Sequence, residues 1–180
     1  MKLYLGVFLT AAPLFGAYTY YYSDSLTSIN ATNWTQNGSV SGSASGLTAT
    51  TTNGGSLISK VAVAANYEVK ATVTLAASGG SYVTYIRATS NAQSGPALAG
   101  TAYAVELQNP TISSGICTGA TLTAYQIVSG HSTTLSSSAV PCHSGMVLRT
   151  VLIAAGALIT YIDNLQYLDV GVSAITAAGS

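Results

Sequence analysis

The acidic side chains of this 180-residue chain could do acid–base chemistry only as a pair. Glycoside hydrolysis, for example, uses two carboxylates about 5 to 10 Å apart. The chain has five acids, Asp24, Glu68, Glu106, Asp163 and Asp169, and none has another two or four residues away, the spacing that shares one face of a strand. The chain also lacks the Gly-x-Ser-x-Gly elbow of serine hydrolases and the Gly-x-Gly-x-x-Gly nucleotide loop. We therefore expect that it is not an enzyme.

A second group of residues suits ligand binding. Sugars bind aromatic faces and side chains that donate paired hydrogen bonds. The candidates on predicted strands are Tyr82, Tyr85, Tyr103, Tyr125 and Arg87. The tyrosines could equally fill a core. Glu106 lies on a neighbouring predicted strand, where it could form a structural ion pair with Arg87 or, with it, the floor of a polar ligand site. Trp34, the only tryptophan, lies in a polar segment and could stack on a sugar or pin a loop to the core.

Three Asn-x-Ser/Thr sequons begin at Asn30, Asn33 and Asn37. Such a sequon is the acceptor for N-glycosylation in a eukaryotic secretory pathway. In that setting the sequence predicts a decorated loop, whereas in a bacterium the sequons carry no such meaning.

The N-terminus and the cysteines indicate an exported protein. Met1 and Lys2 precede an apolar run that ends at Ala17, which is typical of a secretory signal peptide over residues 1–17. A buried strand and a membrane anchor are the alternatives. Cys117 and Cys142 are the only cysteines, and in an exported chain such a pair predicts a disulfide worth about 3 kcal/mol. Free thiols, or a metal site with His131 or His143, remain open at this point.

The remainder, residues 18–180, reads as one all-β domain. The segment 67–75 alternates strictly between apolar and polar side chains, as a half-buried antiparallel strand does. The segment 146–153 is apolar at both parities, which predicts a central strand covered on both faces, and residues 113–119 are expected to form a mobile loop. About eleven strands are expected, at 18–22, 46–50, 56–61, 67–75, 82–88, 103–108, 121–128, 132–135, 146–154, 158–163 and 165–168. Even strand spacing with turn residues between strands is typical of an antiparallel β-sandwich or jelly roll.

Charge and composition exclude other classes. Only 6% of residues are charged, and five Lys and Arg balance five Asp and Glu. Five scattered cations cannot form the basic face that binds nucleic acid. A hydrophobic content of 48% with no net charge is also unlike a disordered chain.

The order of these segments resembles the concanavalin A-like sandwich in its laminin-G-like form, found in secreted bacterial proteins. The resemblance is carried by residues 20–40 (YYYSDSLTSINATNWTQNGSV), 67–75 (YEVKATVTL), 85–110, 122–135 (LTAYQIVSGHSTTL) and 148–170. Members often bind calcium through an aspartate after the first strand, the position that Asp24 matches. The family's closing C-terminal strand has no counterpart here, so the domain is expected to lack it, either because the sequence is a fragment or because another chain completes the edge.

Two non-catalytic hypotheses follow, and a glycosidase with an unrecognised site is the third. The first is a non-catalytic extracellular laminin-G-like module that binds a glycan or cell-surface polymer or mediates attachment. The second is a structural subunit of a fibre or surface layer, in which copies of the chain pair through an open edge strand. No nucleic-acid partner is expected, membrane contact is expected only through an uncleaved leader, and calcium is the one cofactor that the resemblance implies.

Overall fold

A computed structural model describes residues 5–9, 19–38, 40–44, 46–49, 55–59, 66–87, 100–153 and 156–172. These residues form fourteen β-strands and no helix, so none of them forms a helix that could cross a membrane. The strands are β1 (Leu5–Leu9), β2 (Thr19–Asp24), β3 (Trp34–Gly38), β4 (Val40–Ser43), β5 (Gly46–Ala49), β6 (Gly55–Ser59), β7 (Tyr67–Val73), β8 (Tyr82–Ile86), β9 (Ala102–Ser113), β10 (Ile116–Val128), β11 (His131–Val140), β12 (Met146–Ile153), β13 (Ala157–Ile162) and β14 (Leu165–Gly171).

Two antiparallel sheets make the body of the domain, which confirms the predicted β-sandwich class. One sheet has six strands in the order β14-β13-β12-β7-β1-β2, and the other has four in the order β11-β10-β9-β8. Two small ribbons, β3–β6 and β4–β5, accompany them. Apolar side chains from both sheets form one buried cluster, whose largest fully buried members are Leu26, Trp34, Val73, Ile86, Tyr103, Leu107, Leu122, Met146, Leu148, Leu152, Leu158 and Ile162.

The period-two pattern decides which side chains enter this core. In β7, the residues Tyr67, Val69, Ala71 and Val73 are buried, as their alternation predicts. In β12, every second residue from Met146 to Leu152 is buried, and the strand lies between β7 and β13. The central position of this strand is therefore as predicted. The expectation that both faces of this strand are covered is wrong. The side chains of Val147, Arg149 and Val151, on the other face, are only half-buried, and Ile153 is exposed.

Tight two-residue turns connect several neighbouring strands. Ser114-Gly115, Ser129-Gly130 and Asp163-Asn164 each have positive φ at both residues, the backbone of a type I′ hairpin turn. The turns at Ser129-Gly130 and Asp163-Asn164 separate strands that the sequence also predicts. The mobile loop expected over residues 113–119 is instead a hairpin, because the Ser114-Gly115 turn lets β9 end and β10 begin almost at once.

The residues that the structure describes contain three more strands than the eleven expected. Strands β3 and β4 are rich in Asn, Gly and Ser, so their composition reads as loop, yet each pairs with a later segment. Strand β1 lies inside the segment 1–17 that the sequence predicts to be a leader, and it pairs with β2 on one side and β7 on the other. Residues 173–180, where a closing strand would have to begin, lie outside the described residues.

The predicted disulfide between Cys117 and Cys142 is present, with a Cα–Cα distance of 5.3 Å. Both cysteines are buried. The bond joins the start of β10 to the residues just after β11, beside the backbone pair Ala120 and Val140. It therefore closes the base of the β10–β11 hairpin and excludes the free-thiol and metal alternatives for these residues.

Candidate functional site

The outer face of the four-stranded sheet carries a second, smaller apolar cluster of its own. Ala102, Ala104 and Ile127 are buried there, and Val83, Tyr85 and Tyr125 pack against them. These residues have the opposite parity to the core residues of β8, β9 and β10. We call this surface the tyrosine face.

Two half-buried tyrosines flank a small residue at the centre of this face. Tyr85 on β8 and Tyr125 on β10 both pair with Ala104 on β9. Two inter-strand spacings separate the tyrosine backbones, about 10 Å. Ala104 contributes only a methyl group and is itself buried, so the two half-buried rings are the accessible part of an apolar strip at the centre of this face.

A line of hydrogen-bonding groups continues from Tyr125. The Gln108 side-chain amide donates to the Tyr125 hydroxyl at 2.9 Å and to Thr123 Oγ1 at 3.2 Å. Thr123 Oγ1 lies 3.1 Å from Ser137 Oγ on β11. The network fixes the Gln108 amide and leaves its carbonyl oxygen and the hydroxyl of Ser137, which is exposed, as possible partners for a ligand.

Glu106 adds a carboxylate to the same face. It pairs with Val83 on one side and Thr123 on the other, so it lies one row from the tyrosines. Burial raises the pKa of Tyr85, and the nearby negative charge of Glu106 raises it further. The Tyr85 hydroxyl therefore stays protonated and can donate a hydrogen bond.

The structure brings Tyr85 and Glu106 together but places Trp34 elsewhere. The Trp34 side chain is buried in the main core, and its indole Nε1–H donates to Asp24 Oδ2 at 2.8 Å. The other oxygen, Asp24 Oδ1, accepts the backbone N–H of Leu26 at 2.8 Å. Asp24 thus holds Trp34 and a turn in place. No group of three His, Cys, Asp or Glu side chains suited to a metal occurs among the described residues, and calcium at Asp24 stays a prediction.

Tyr82 and Tyr103 lie in the main core rather than on the tyrosine face, and Arg87 lies just beyond the end of β8. Tyr103 has the core parity of β9 and is 1% exposed. Arg87 follows β8 with a positive φ, and its backbone N–H donates to the hydroxyl of Tyr67 at 2.6 Å. Glu106 lies opposite Val83, four residues from Arg87, which is about 13 Å along a strand.

The sequons differ in their surroundings. Asn30 is exposed, and its side-chain Oδ1 accepts the backbone N–H of Thr32 at 2.9 Å, an Asx turn that leads into β3. Asn33 is half-buried in the same turn. Asn37 lies within β3, and its side chain is outside the described residues.

Gln108, Thr123 and Ser137 are site residues that the sequence did not single out, whereas Tyr125 is one of the tyrosines that the sequence offers for sugar binding. The signal was present in β9, where Ala104, Glu106 and Gln108 alternate with Tyr103, Val105 and Leu107. Since Val105 and Leu107 are apolar, this parity assigns Tyr103 to the core and Gln108 to the face of Glu106. The cross-strand contact with Tyr125 depends on register, which the sequence does not give.

Comparison of the chain with protein-family models, curated proteins and solved structures gave no match.

Proposed function

We propose that the chain is a non-catalytic extracellular module that binds a glycan on its tyrosine face. The observation that carries the proposal is the pair of half-buried tyrosines around Ala104, edged by Glu106, Gln108 and Ser137. Apolar ring faces cover the C–H faces of a sugar, while fixed amide, carboxylate and hydroxyl groups bind its hydroxyls. The strip suits a flat, neutral stretch of polysaccharide.

A binding role fits this face better than hydrolysis. Glycoside hydrolysis uses two carboxylates, and Glu106 is the one acid on the tyrosine face. The other four lie at the end of β2, on β7 and in or beside β13 and β14. We also propose that the sandwich is of the concanavalin A-like, laminin-G-like kind, and that the protein is secreted. The disulfide supports an oxidising compartment.

A glycan array followed by calorimetry with the best ligand tests this function. Tyr125→Ala and Gln108→Ala should each weaken binding, the former by about tenfold or more because it removes one of the two rings of the strip. Thr72→Ala, a half-buried position on the six-stranded sheet, is the matched control and should leave affinity unchanged. Absence of any glycan ligand, or wild-type affinity in Tyr125→Ala, would refute the proposal.

A second function, self-assembly through a sheet edge, is favoured by β11. This strand is ten residues long, lies at the edge of the four-stranded sheet and contains no Lys, Arg, Asp, Glu or Pro. Natural edge strands are usually protected by charges, prolines or short length. An unprotected edge of this kind could pair with that of a second copy.

Light scattering over a range of concentrations separates the two functions. Assembly that disappears in Thr134→Lys, an exposed position of β11, would make the structural role the leading one. A monomer at all concentrations would dismiss it and leave glycan binding as the proposal.

A further inference from the structure

Two of the five cations of the chain lie side by side on the outer face of the six-stranded sheet. Lys70 on β7 pairs directly with Arg149 on β12. Like charges at directly opposed strand positions repel each other and cost stability. Glu68 lies close enough to both cations to interact with each of them, and it supplies one negative charge.

The surroundings of Arg149 fix its guanidinium in one orientation. Its Nη1 donates to Glu68 Oε2 at 3.2 Å, and its Cζ lies 3.9 Å from the ring centroid of Tyr161. Its Nε is buried without a hydrogen-bond partner. A guanidinium has five N–H donors, and Glu68 accepts a hydrogen bond from only one nitrogen of Arg149. The Arg149 side chain is 23% exposed to solvent.

The acids of the chain leave this cluster with an excess positive charge. Glu68 is the one carboxylate next to the two cations, and its side chain is only 8% exposed. Asp169 lies in the row of Glu68 but three strands away, about 14 Å. The cluster of Lys70, Arg149 and Glu68 therefore attracts an anionic group that reaches it from solvent.

We propose that this cluster is a second binding site, for the carboxylate of an acidic polysaccharide such as a polyuronate. Because Arg149 Nε is buried, the two Nη nitrogens of Arg149 are the fork that binds the carboxylate together with the Lys70 ammonium. Tyr161 and Gln166, which continue the same row across β13 and β14, contact the sugar hydroxyls. The cluster has one excess positive charge, and its neighbours Tyr161 and Gln166 are neutral and polar. This arrangement suits a polymer with one carboxylate per sugar ring better than a peptide with an acid at every residue. The site lies on the other sheet from the tyrosine face and does not depend on it.

Calorimetric titration of the full chain with tetragalacturonate tests the site, and the fully methyl-esterified tetramer serves as the uncharged control ligand. Lys70→Gln and Arg149→Lys should each weaken binding of the acid by about tenfold. Arg149→Lys keeps the charge beside Glu68 and loses the fork, so the fold is retained. Arg87→Gln removes the same charge from another part of the protein and is the control variant. Binding should also weaken as salt rises.

Three outcomes would overturn the proposal. Equal affinity for the methyl ester would mean that the carboxylate is not recognised. Equal loss in Arg87→Gln would mean that net charge alone attracts the ligand. Tighter binding of tetraglutamate than of tetragalacturonate would assign the site to acidic peptides. Because Tyr125→Ala should leave tetragalacturonate affinity unchanged, failure of this site and failure of the tyrosine face are distinguishable.

Discussion

Thr150 and Thr160 are polar residues in the middle of an apolar core. They pair directly between β12 and β13, both are fully buried, and neither hydroxyl has a hydrogen-bond partner among the described residues. A buried hydroxyl that makes no hydrogen bond costs stability because it has lost its bond to water.

Thr150→Val should therefore stabilise the protein by about 1 kcal/mol. Thermal unfolding should show a midpoint about 2 to 4 °C higher. Thr84→Val is the matched control, since the buried Thr84 hydroxyl donates to the Tyr82 hydroxyl at 3.3 Å, and it should destabilise. A lower midpoint in Thr150→Val would mean that its hydroxyl is satisfied in solution.

At the residue scale, strand parity predicts much of the site and register decides the rest. Glu106 and Tyr85 were expected at the ligand site and do share a face. Tyr103 was expected there too, although its own alternation with Glu106 places it in the core. The sequence allowed Trp34 either to stack on a sugar or to pin a loop to the core. Its hydrogen bond to Asp24 depends on a turn that no short-range pattern specifies.

At the element scale, two links tie the β11–β12 connection to its neighbours. The Cys117–Cys142 bond fixes one end, and His143 beside it contacts the β13–β14 turn through Asp163, with 2.6 Å between Nε2 and Oδ2. Asp163 Oδ1 also accepts the backbone N–H of Val147 at 2.9 Å. The two links hold a connection that has no sheet pairing of its own.

Changing His143 should make stability depend less on pH. The backbone carbonyl of Ser144 and then the Asp163 carboxylate raise the pKa of His143. The stabilisation is fully present below the ordinary pKa of histidine and is lost as pH rises through the higher folded value. Compared with His143→Gln, the wild type should gain less than about 1 kcal/mol at pH about 5.5 and nothing at pH about 9, because both groups are exposed.

Urea unfolding at both pH values measures this difference, and His131→Gln, in the exposed β10–β11 hairpin, is the control. A difference that grows with pH would contradict the assignment of Asp163 as the partner of a protonated histidine.

Removing the disulfide should loosen the base of the β10–β11 hairpin. Replacing both Cys117 and Cys142 by alanine should lower the free energy of unfolding by about 2 to 4 kcal/mol. Unfolding of the wild type with and without reductant should give a similar loss. Equal free energies of unfolding for the wild type and the double alanine variant would show that strand pairing alone closes the hairpin.

Strands were predictable where apolar and polar residues alternate, as in β7 and β9. They were missed where Asn, Gly and Ser dominate, as in β3 and β4. Gly42 shows why such residues are used there. A Cβ atom on Gly42 would lie 2.8 Å from the carbonyl oxygen of Leu26, so close backbone approach decides the residue at this position rather than strand propensity.

At the scale of the whole molecule, composition and turn residues predicted an all-β antiparallel sandwich. Local turns made the neighbouring pairs β10–β11 and β13–β14 predictable, because each hairpin is short. The order of the six-stranded sheet was not predictable, since β7 joins β12 across a long stretch of chain. Nor could the sequence show that Lys70 and Arg149 share a row.

The pairing of β7 with β12 also determines when β7 can complete its sheet during synthesis. Glu68 pairs with Val151, about 80 residues later. At 5 to 20 residues per second, the ribosome needs about 4 to 16 s to add the residues between them. Strands β8 to β11, which follow one another in both sequence and sheet, are complete before β12 emerges. During that interval the apolar face of β7 is uncovered, and the edge that will pair with β12 has unpaired backbone groups. Until β12 is made, this edge could pair with a strand of another chain.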